Sequence, residues 1–223
     1  MVQGPKLTRA CGASILAGMT EPGGRPDHDQ YFMGIAIAVR SRALCKGRHV
    51  GAVLVKDGRI ISTGYNGTPE DMPNCDDFEN GCYRCSHPEE FEAGTGYDVC
   101  ICVHAEQNAL LSAARFGTPV AGATLYTTLR PCFGCTKEAV QAKVEAIYYL
   151  KDWGHPNPAM KHQYELLQAR LPGGVRPIRG ILDPSEPTAV EEPLADTGHF
   201  REGDDGRDTQ ITAAAPEAPA VSG

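Results

Sequence analysis

The chain has 223 residues, of which 41% are hydrophobic, and a net charge of −7; that suffices for one well-cored α/β domain with extensions and is too short for two full domains. Ten acidic residues and two arginines from Asp183 onward carry −8 of the charge, leaving about +1 for everything before, so the folded part lacks the basic excess of a nucleic-acid footprint. No apolar run reaches the about 20 residues of a transmembrane helix, and the mildly apolar Cys11 to Met19 is too short and glycine-interrupted for a signal peptide.

Residues 1–27 close on Glu21-Pro22-Gly23-Gly24-Arg25-Pro26, which punctuates rather than packs, and are expected to be a poorly ordered extension. From Gln30 to Leu44, Tyr31, Phe32, Met33, Ile35, Ile37, Val39 and Leu44 recur at helical spacing and predict the first helix. Val50–Val55 and Arg59–Tyr65 are short β-branched segments joined by the turn signal Lys56-Asp57-Gly58, a predicted hairpin that Asn66-Gly67-Thr68-Pro69 closes. Residues 67–103 form a long insert with little periodicity and five cysteines, Cys75, Cys82, Cys85, Cys100 and Cys102. A loop of that length needs something to hold it, and a metal is the obvious candidate.

A helix is predicted over His104–Phe116 and ends at Gly117; Thr124–Thr128 follows as a strand, Cys132–Ala142 as a helix and Val144–Leu150 as a strand. After a loop holding Trp153 come a helix over Pro158–Leu171 and a last strand over Val175–Ile178. Strands alternating with helices after a hairpin predict an α/β fold of three α/β/α layers, a mixed sheet of about five strands with helices on both faces. The domain is thus expected to span 28–182. Residues 183–223, rich in Pro, Ala, Gly, Asp and Glu, cannot bury a core and are expected to be a disordered acidic tail.

The chemistry gathers in two motifs, His104-Ala105-Glu106 and, 25 residues after Glu106, Pro131-Cys132-Phe133-Gly134-Cys135. His104, Cys132 and Cys135 supply three ligands for a tetrahedral Zn²⁺ whose fourth position stays open for water. Two cysteines at i and i+3 on a helix start point the same way, and the positive helix end favours their thiolates. An open Zn²⁺ lowers the pKa of its water to about 7. Glu106, two residues past the imidazole, is too close in sequence to be an obvious fourth ligand, yet well placed to carry that water's proton to a substrate nitrogen. A structural zinc knuckle or a redox Cys-x-x-C competes with this reading but explains neither Glu106 nor Pro131. With nine cysteines a secreted disulfide scaffold also competes; thiolates holding zinc in a reducing, cytoplasmic setting are simpler.

The pairing of H-x-E with P-C-x-x-C is the signature of zinc nucleobase deaminases. With His49-Val50-Gly51-Ala52-Val53, Gly64-Tyr65-Asn66-Gly67-Thr68-Pro69, Pro73-Asn74-Cys75-Asp76 and His104-Ala105-Glu106-Gln107-Asn108-Ala109 beside it, the chain resembles the deoxycytidylate (dCMP) deaminase family from about His28 to Ile178. The Gly-Tyr-Asn-Gly segment next to an internal cysteine cluster separates it from tRNA adenosine and guanine deaminases, and free-nucleoside cytidine deaminases carry Cys where His104 stands. The resemblance implies a cytidine-deaminase-like fold and zinc-dependent hydrolysis of dCMP to dUMP and ammonia, the precursor step to thymidylate. Glu106 then protonates N3 and later the departing amine.

The same resemblance implies that Asn66 hydrogen-bonds the sugar or base edge, although as a residue type it equally fits a turn side chain capping its own loop. The phosphate needs a cation. Arg48, just before the first strand, is the first candidate, followed by Arg130 and Lys151, each also readable as a solvated surface charge. Tyr65, Tyr97 and Trp153 are candidates to stack on the base, or else belong to the core or rim. Many relatives carry a second, structural zinc, and Cys45, Cys75, Cys82 and Cys100 match its positions, with Cys85 and Cys102 able to replace a neighbour; the competing reading makes some of these thiols buried small apolar residues. A homo-oligomer, often a hexamer, with dCTP and dTTP as effectors and no nucleic-acid or membrane partner, completes the implication. Deamination of another pyrimidine nucleotide, such as CMP or a modified deoxycytidylate, is the alternative. A catalytically silent zinc-stabilised binding module is the other, and it has no use for Glu106.

Overall fold

The computed structural model describes residues 25–181 and Asp183, apart from 76, 78–80, 93 and 94. Most of the expected N-terminal extension, residues 1–24, and of the expected tail, residues 184–223, lies outside the described residues. The first helix, α1 (His28–Arg40), starts on Asp27, whose side chain accepts from the Gln30 N–H while the Gln30 side chain accepts from Asp27 N–H. This reciprocal cap satisfies two donors that a helix start otherwise leaves open. The helix stops four residues before the expected Leu44, because Ser41 Oγ bonds back to the Ala38 carbonyl at 2.7 Å and Ala43 N–H turns onto the Arg40 carbonyl.

Strands β1 (Gly51–Lys56) and β2 (Arg59–Tyr65) form the predicted hairpin. Its two turn residues, Asp57 and Gly58, both have positive φ, 51° and 69°, the left-handed pair that a two-residue hairpin turn requires. The insert then holds a four-residue helix, α2 (Tyr83–Ser86), and a 3₁₀ turn over Pro88–Glu90. Its two ends meet at Gly67 and Val103, which exchange backbone hydrogen bonds of 3.2 and 2.8 Å. Next come α3 (Ala105–Arg115), β3 (Thr124–Leu129), α4 (Phe133–Gln141), β4 (Ala146–Lys151), α5 (Pro158–Gln168) and β5 (Val175–Pro177).

The sheet order is β2-β1-β3-β4-β5, with β1 antiparallel to β2 and β3, and β3, β4 and β5 parallel. Along β1 the side chains alternate between two cores: Val53 and Val55 pack with Phe32, Met33 and Ala36 of α1, whereas Ala52 and Leu54 pack with Ala105 and Ala109 of α3. Period-two alternation thus forces helices onto both faces, the three layers expected. Two glycines allow the close approach. A Cβ on Gly51 would stand 2.2 Å from the Ala36 carbonyl oxygen of α1, and one on Gly64 would stand 2.2 Å from the Ala105 carbonyl oxygen of α3.

One expected boundary is corrected. Asp183, assigned by composition to a disordered tail, is docked on the domain: its carboxylate accepts two hydrogen bonds from Arg40, one at 2.7 Å, and lies 3.5 Å from Lys151 Nζ. Its side chain is 8% exposed and that of Arg40 9%, so composition misjudged a residue whose charge has partners to bury against. Among the described residues, no helix is long and apolar enough to cross a membrane.

Candidate active site

Two helix starts converge at one end of the sheet. His104 is the N-cap of α3 and Cys132 the N-cap of α4, with Cys135 in the first turn of α4. The backbone around them is held from several sides. His104 N–H donates to Gln107 Oε1 at 3.0 Å, and Gln107 Nε2 donates to Glu138 Oε1 at 2.8 Å, which ties α3 to α4. Asn108 Nδ2 bonds the Tyr65 carbonyl at the end of β2 at 2.7 Å. The Cys132 carbonyl accepts from Thr136 N–H at 3.0 Å and from its hydroxyl at 2.9 Å, and the Tyr164 hydroxyl of α5 donates to the Pro131 carbonyl.

These constraints bring the three expected ligands together. His104 Nδ1 stands 3.4 Å from Cys132 Sγ and 3.3 Å from Cys135 Sγ, and the two sulfurs are 3.6 Å apart. Tetrahedral zinc with Zn–S of about 2.3 Å and Zn–N of about 2.0–2.1 Å needs N–S edges of about 3.6 Å and an S–S edge of about 3.8 Å. The triangle is therefore close to ligand spacing, and its two thiols and one imidazole are a donor set that suits zinc. The electrostatics agree. Hydrogen bonding from Cys135 and the adjacent His104 hold the Cys132 thiol down at about 4. Burial pulls His104 down, but the Cys132 thiolate outweighs it and lifts the imidazole to about 9.

Glu106 is 4% exposed and accepts a 3.0 Å hydrogen bond from Thr127 Oγ1 of β3. Burial first, and the Cys132 charge second, raise its carboxyl above the ordinary range. A carboxyl so raised exchanges protons nearer neutral pH than a solvated one does. Glu106 lines a cavity of about 330 Å³ together with His104, Cys132, Asn66, Tyr97 and Trp153, a volume in the range of small-molecule sites.

The other candidates divide. Arg48 and Arg130 reach the cavity. Arg130 is also held by Asp152 at 3.1 Å and by Gln168, over the rings of Tyr149 and Tyr164. Asn66 lines the cavity and also caps its own loop, accepting from Val50 N–H at 2.7 Å and donating to the Arg48 carbonyl at 2.8 Å. Lys151 is corrected: it faces Asp183 and is not part of the cavity wall. Tyr65 is likewise outside that wall, whereas Tyr97 stands edge-on between His104 and Trp153 at centroid distances of 5.8 Å to each.

The cysteines of the insert meet Cys45 in a second cluster in which Cys45, Cys75, Cys82 and Cys102 are buried and Cys85 and Cys100 half-buried. The sulfurs of Cys82, Cys85 and Cys100 lie within 4.8 Å of one another, and Cys82 and Cys100 are 3.7 Å apart. Cys85, expected only as an alternate, is thus in the metal-compatible trio, and Cys75 sits in the cluster without joining it. The eight described cysteines are free thiols. Sequence reasoning missed Thr127, although a polar residue two along from the core residue Leu125 on the α3-facing side of β3 was a usable signal. It also missed Arg84, a cavity-lining cation held between Cys82 and Cys85.

Residues 26–151 match the family described as "Cytidine and deoxycytidylate deaminase zinc-binding region". The deoxycytidylate deaminase of Saccharomyces cerevisiae is 41% identical over 129 residues, covering 58% of this chain and 39% of its own length. That of Mycobacterium phage D29 is 40% identical over 134 residues, covering 57% of this chain and 98% of its own. This chain thus spans about two fifths of the yeast relative and nearly all of the phage one. Among solved structures, the dCMP deaminase from the cyanophage S-TIM5 in complex with dCMP and dUMP is similar at a TM-score of 0.53 and 29% identity, over 70% of this chain and 99% of that one.

Proposed function

Because the chain belongs to the cytidine and deoxycytidylate deaminase zinc-binding family, we propose that it hydrolyses dCMP to dUMP and ammonia in the cavity above the His104–Cys132–Cys135 triangle. The observation that carries this reading is the conjunction of ligand-spaced donors with a buried carboxyl, Glu106, on the same cavity wall. A zinc ion held by His104, Cys132 and Cys135 would supply an acidified water as nucleophile. Everything else falls to the chain. Glu106 takes the water's proton at its carboxylate, delivers it to ring N3, and passes the second proton to the departing C4 amine, so that water and dCMP become dUMP and ammonia. Thr127 holds Oε1 of that carboxylate in place. Tyr97 and Trp153 offer ring faces and edges to the base, and Arg48 a cation to the 5′-phosphate.

A second zinc in the insert belongs to the same proposal. Cys82, Cys85 and Cys100 supply three ligands, and Cys45 or Cys102, buried in the same cluster, completes the tetrad. Action in the cytoplasm as a homo-oligomer under dCTP and dTTP control is part of it too, supported by family membership alone. The test is a substrate panel with zinc-loaded protein: dCMP, CMP and deoxycytidine at equal concentration, with ammonia release and product identity as readouts. Turnover greatest on dCMP is expected. Turnover greatest on CMP would transfer the assignment to another pyrimidine nucleotide, and none on any of them would favour a silent zinc-stabilised module.

A further inference from the structure

The cavity wall carries three arginines, and they differ in what already occupies them. Arg130 is paired with Asp152 and Gln168. Arg48 and Arg84 have no carboxylate partner among the described residues. Arg84 is the more ordered of the two: its Nε donates to the Thr95 carbonyl at 2.8 Å, and its guanidinium stands over the Tyr97 ring, 4.6 Å from the centroid. That grip uses one edge and one face of the guanidinium. The two Nη nitrogens have no hydrogen-bond acceptor among the described residues, on a side chain that lines the cavity. Two further donors of the same wall residues, Arg130 Nε and Trp153 Nε1, are buried without an acceptor. A wall with several cationic or N–H donors and one buried carboxyl fits a ligand rich in anionic oxygens, and a fork of N–H groups fits a phosphate.

We infer that Arg84, carried on the cysteine-rich insert, is a second phosphate-binding residue beside Arg48, and so makes the insert a determinant of nucleotide over nucleoside. The placement follows from the chain. Arg84 lies between Cys82 and Cys85, two of the three sulfurs of the metal-compatible trio, so whatever fixes those sulfurs fixes the four-residue α2 that carries the guanidinium. A helix this short does not hold itself. Tyr97, the ring beneath Arg84, stands in turn edge-on to His104. A 5′-phosphate carrying about −1.5 to −2 charges at neutral pH rewards a second cation.

This inference rests on the proposed dCMP reaction, and the experiment separates the two. Arg84→Gln and Arg84→Lys are compared with wild type on dCMP and on deoxycytidine, with zinc content and Tm measured on each. Loss of a charge-assisted bidentate contact is expected to raise KM for dCMP by about 10–100-fold with kcat nearly unchanged. Deoxycytidine turnover should be unaltered, and Arg84→Lys should recover part of the loss as a point charge. A parallel fall on both substrates, or an unchanged KM for dCMP, overturns the inference. Trp153, the only tryptophan of the chain, gives a readout independent of turnover. Titration of wild type with dCMP or inorganic phosphate should change its fluorescence at concentrations at least tenfold lower than in Arg84→Gln. Equal titration curves overturn the inference. If wild type fails to deaminate dCMP, the proposed reaction falls, and the phosphate titration alone decides the role of Arg84.

Discussion

At the scale of single residues, the proposal turns on a carboxyl that the fold buries at a cost. Removing a carboxylate from water is unfavourable unless it is paired, hydrogen-bonded or protonated, and Glu106 is compensated within the described residues by one side-chain donor, Thr127. Its presence is therefore better explained by proton transfer than by stability. Glu106→Gln should bind zinc and melt as wild type does, or slightly higher, while kcat on dCMP falls by about 10²–10⁴-fold or more. Metal analysis and kinetics on one preparation check both. Thr127→Val removes the hydroxyl that holds Oε1, and kcat should fall about tenfold with zinc content unchanged, on the scale of one hydrogen bond to a charged group. The triad and Glu106 were legible because a metal site needs fixed residue types at fixed spacing. Lys151 was not, because whether an ammonium faces a ligand or another side chain depends on a partner far along the chain, here Asp183.

At the scale of elements, helices and strands fell within a few residues of expectation wherever a hydrophobic period ran unbroken, as in β1 and α3. The exception among them, α1, ends at Arg40 because a serine bonds back to the preceding turn, a local contact that apolar spacing does not encode. The insert resisted reading for a different reason: its cysteines meet one another and Cys45 from segments far apart in sequence, a convergence that no periodicity encodes. Purified, reduced protein should accordingly contain two zinc ions per chain, and Cys82→Ser should lose one and lower Tm while the catalytic ion remains. One ion per chain, with the insert thiols freely alkylated, would leave the cluster as ordinary buried cysteines. The two close-approach glycines give a paired test. Gly64→Ala and Gly51→Ala each force a methyl within 2.2 Å of a helix carbonyl, and each should cost about 1–3 kcal/mol of stability. Only Gly64→Ala displaces α3, which bears Glu106 and is capped by His104. It should therefore lose zinc affinity and turnover, which Gly51→Ala retains.

At the scale of the whole molecule, a mixed five-stranded sheet brings the end of β2, the start of β1 and the end of β3 to one end of the sheet, where two helix starts bring His104, Cys132 and Cys135 together. Charge at this scale misled the sequence reading once, since Asp183 was grouped with an acidic tail and instead neutralises Arg40. A chain ending after Ser185 should keep its Tm, whereas Asp183→Ala removes the carboxylate paired with the buried Arg40 and should cost about 3–5 kcal/mol, roughly 10 °C. The measurement that tests the central claim most directly is the conversion of dCMP by zinc-loaded wild type and Glu106→Gln in ¹⁸O-labelled water. Hydrolysis at this site predicts dUMP labelled once, at O4, with one ammonia per dUMP, from wild type and almost none from the variant at equal zinc content. Unlabelled product, no product from wild type, or equal rates from both proteins would contradict it.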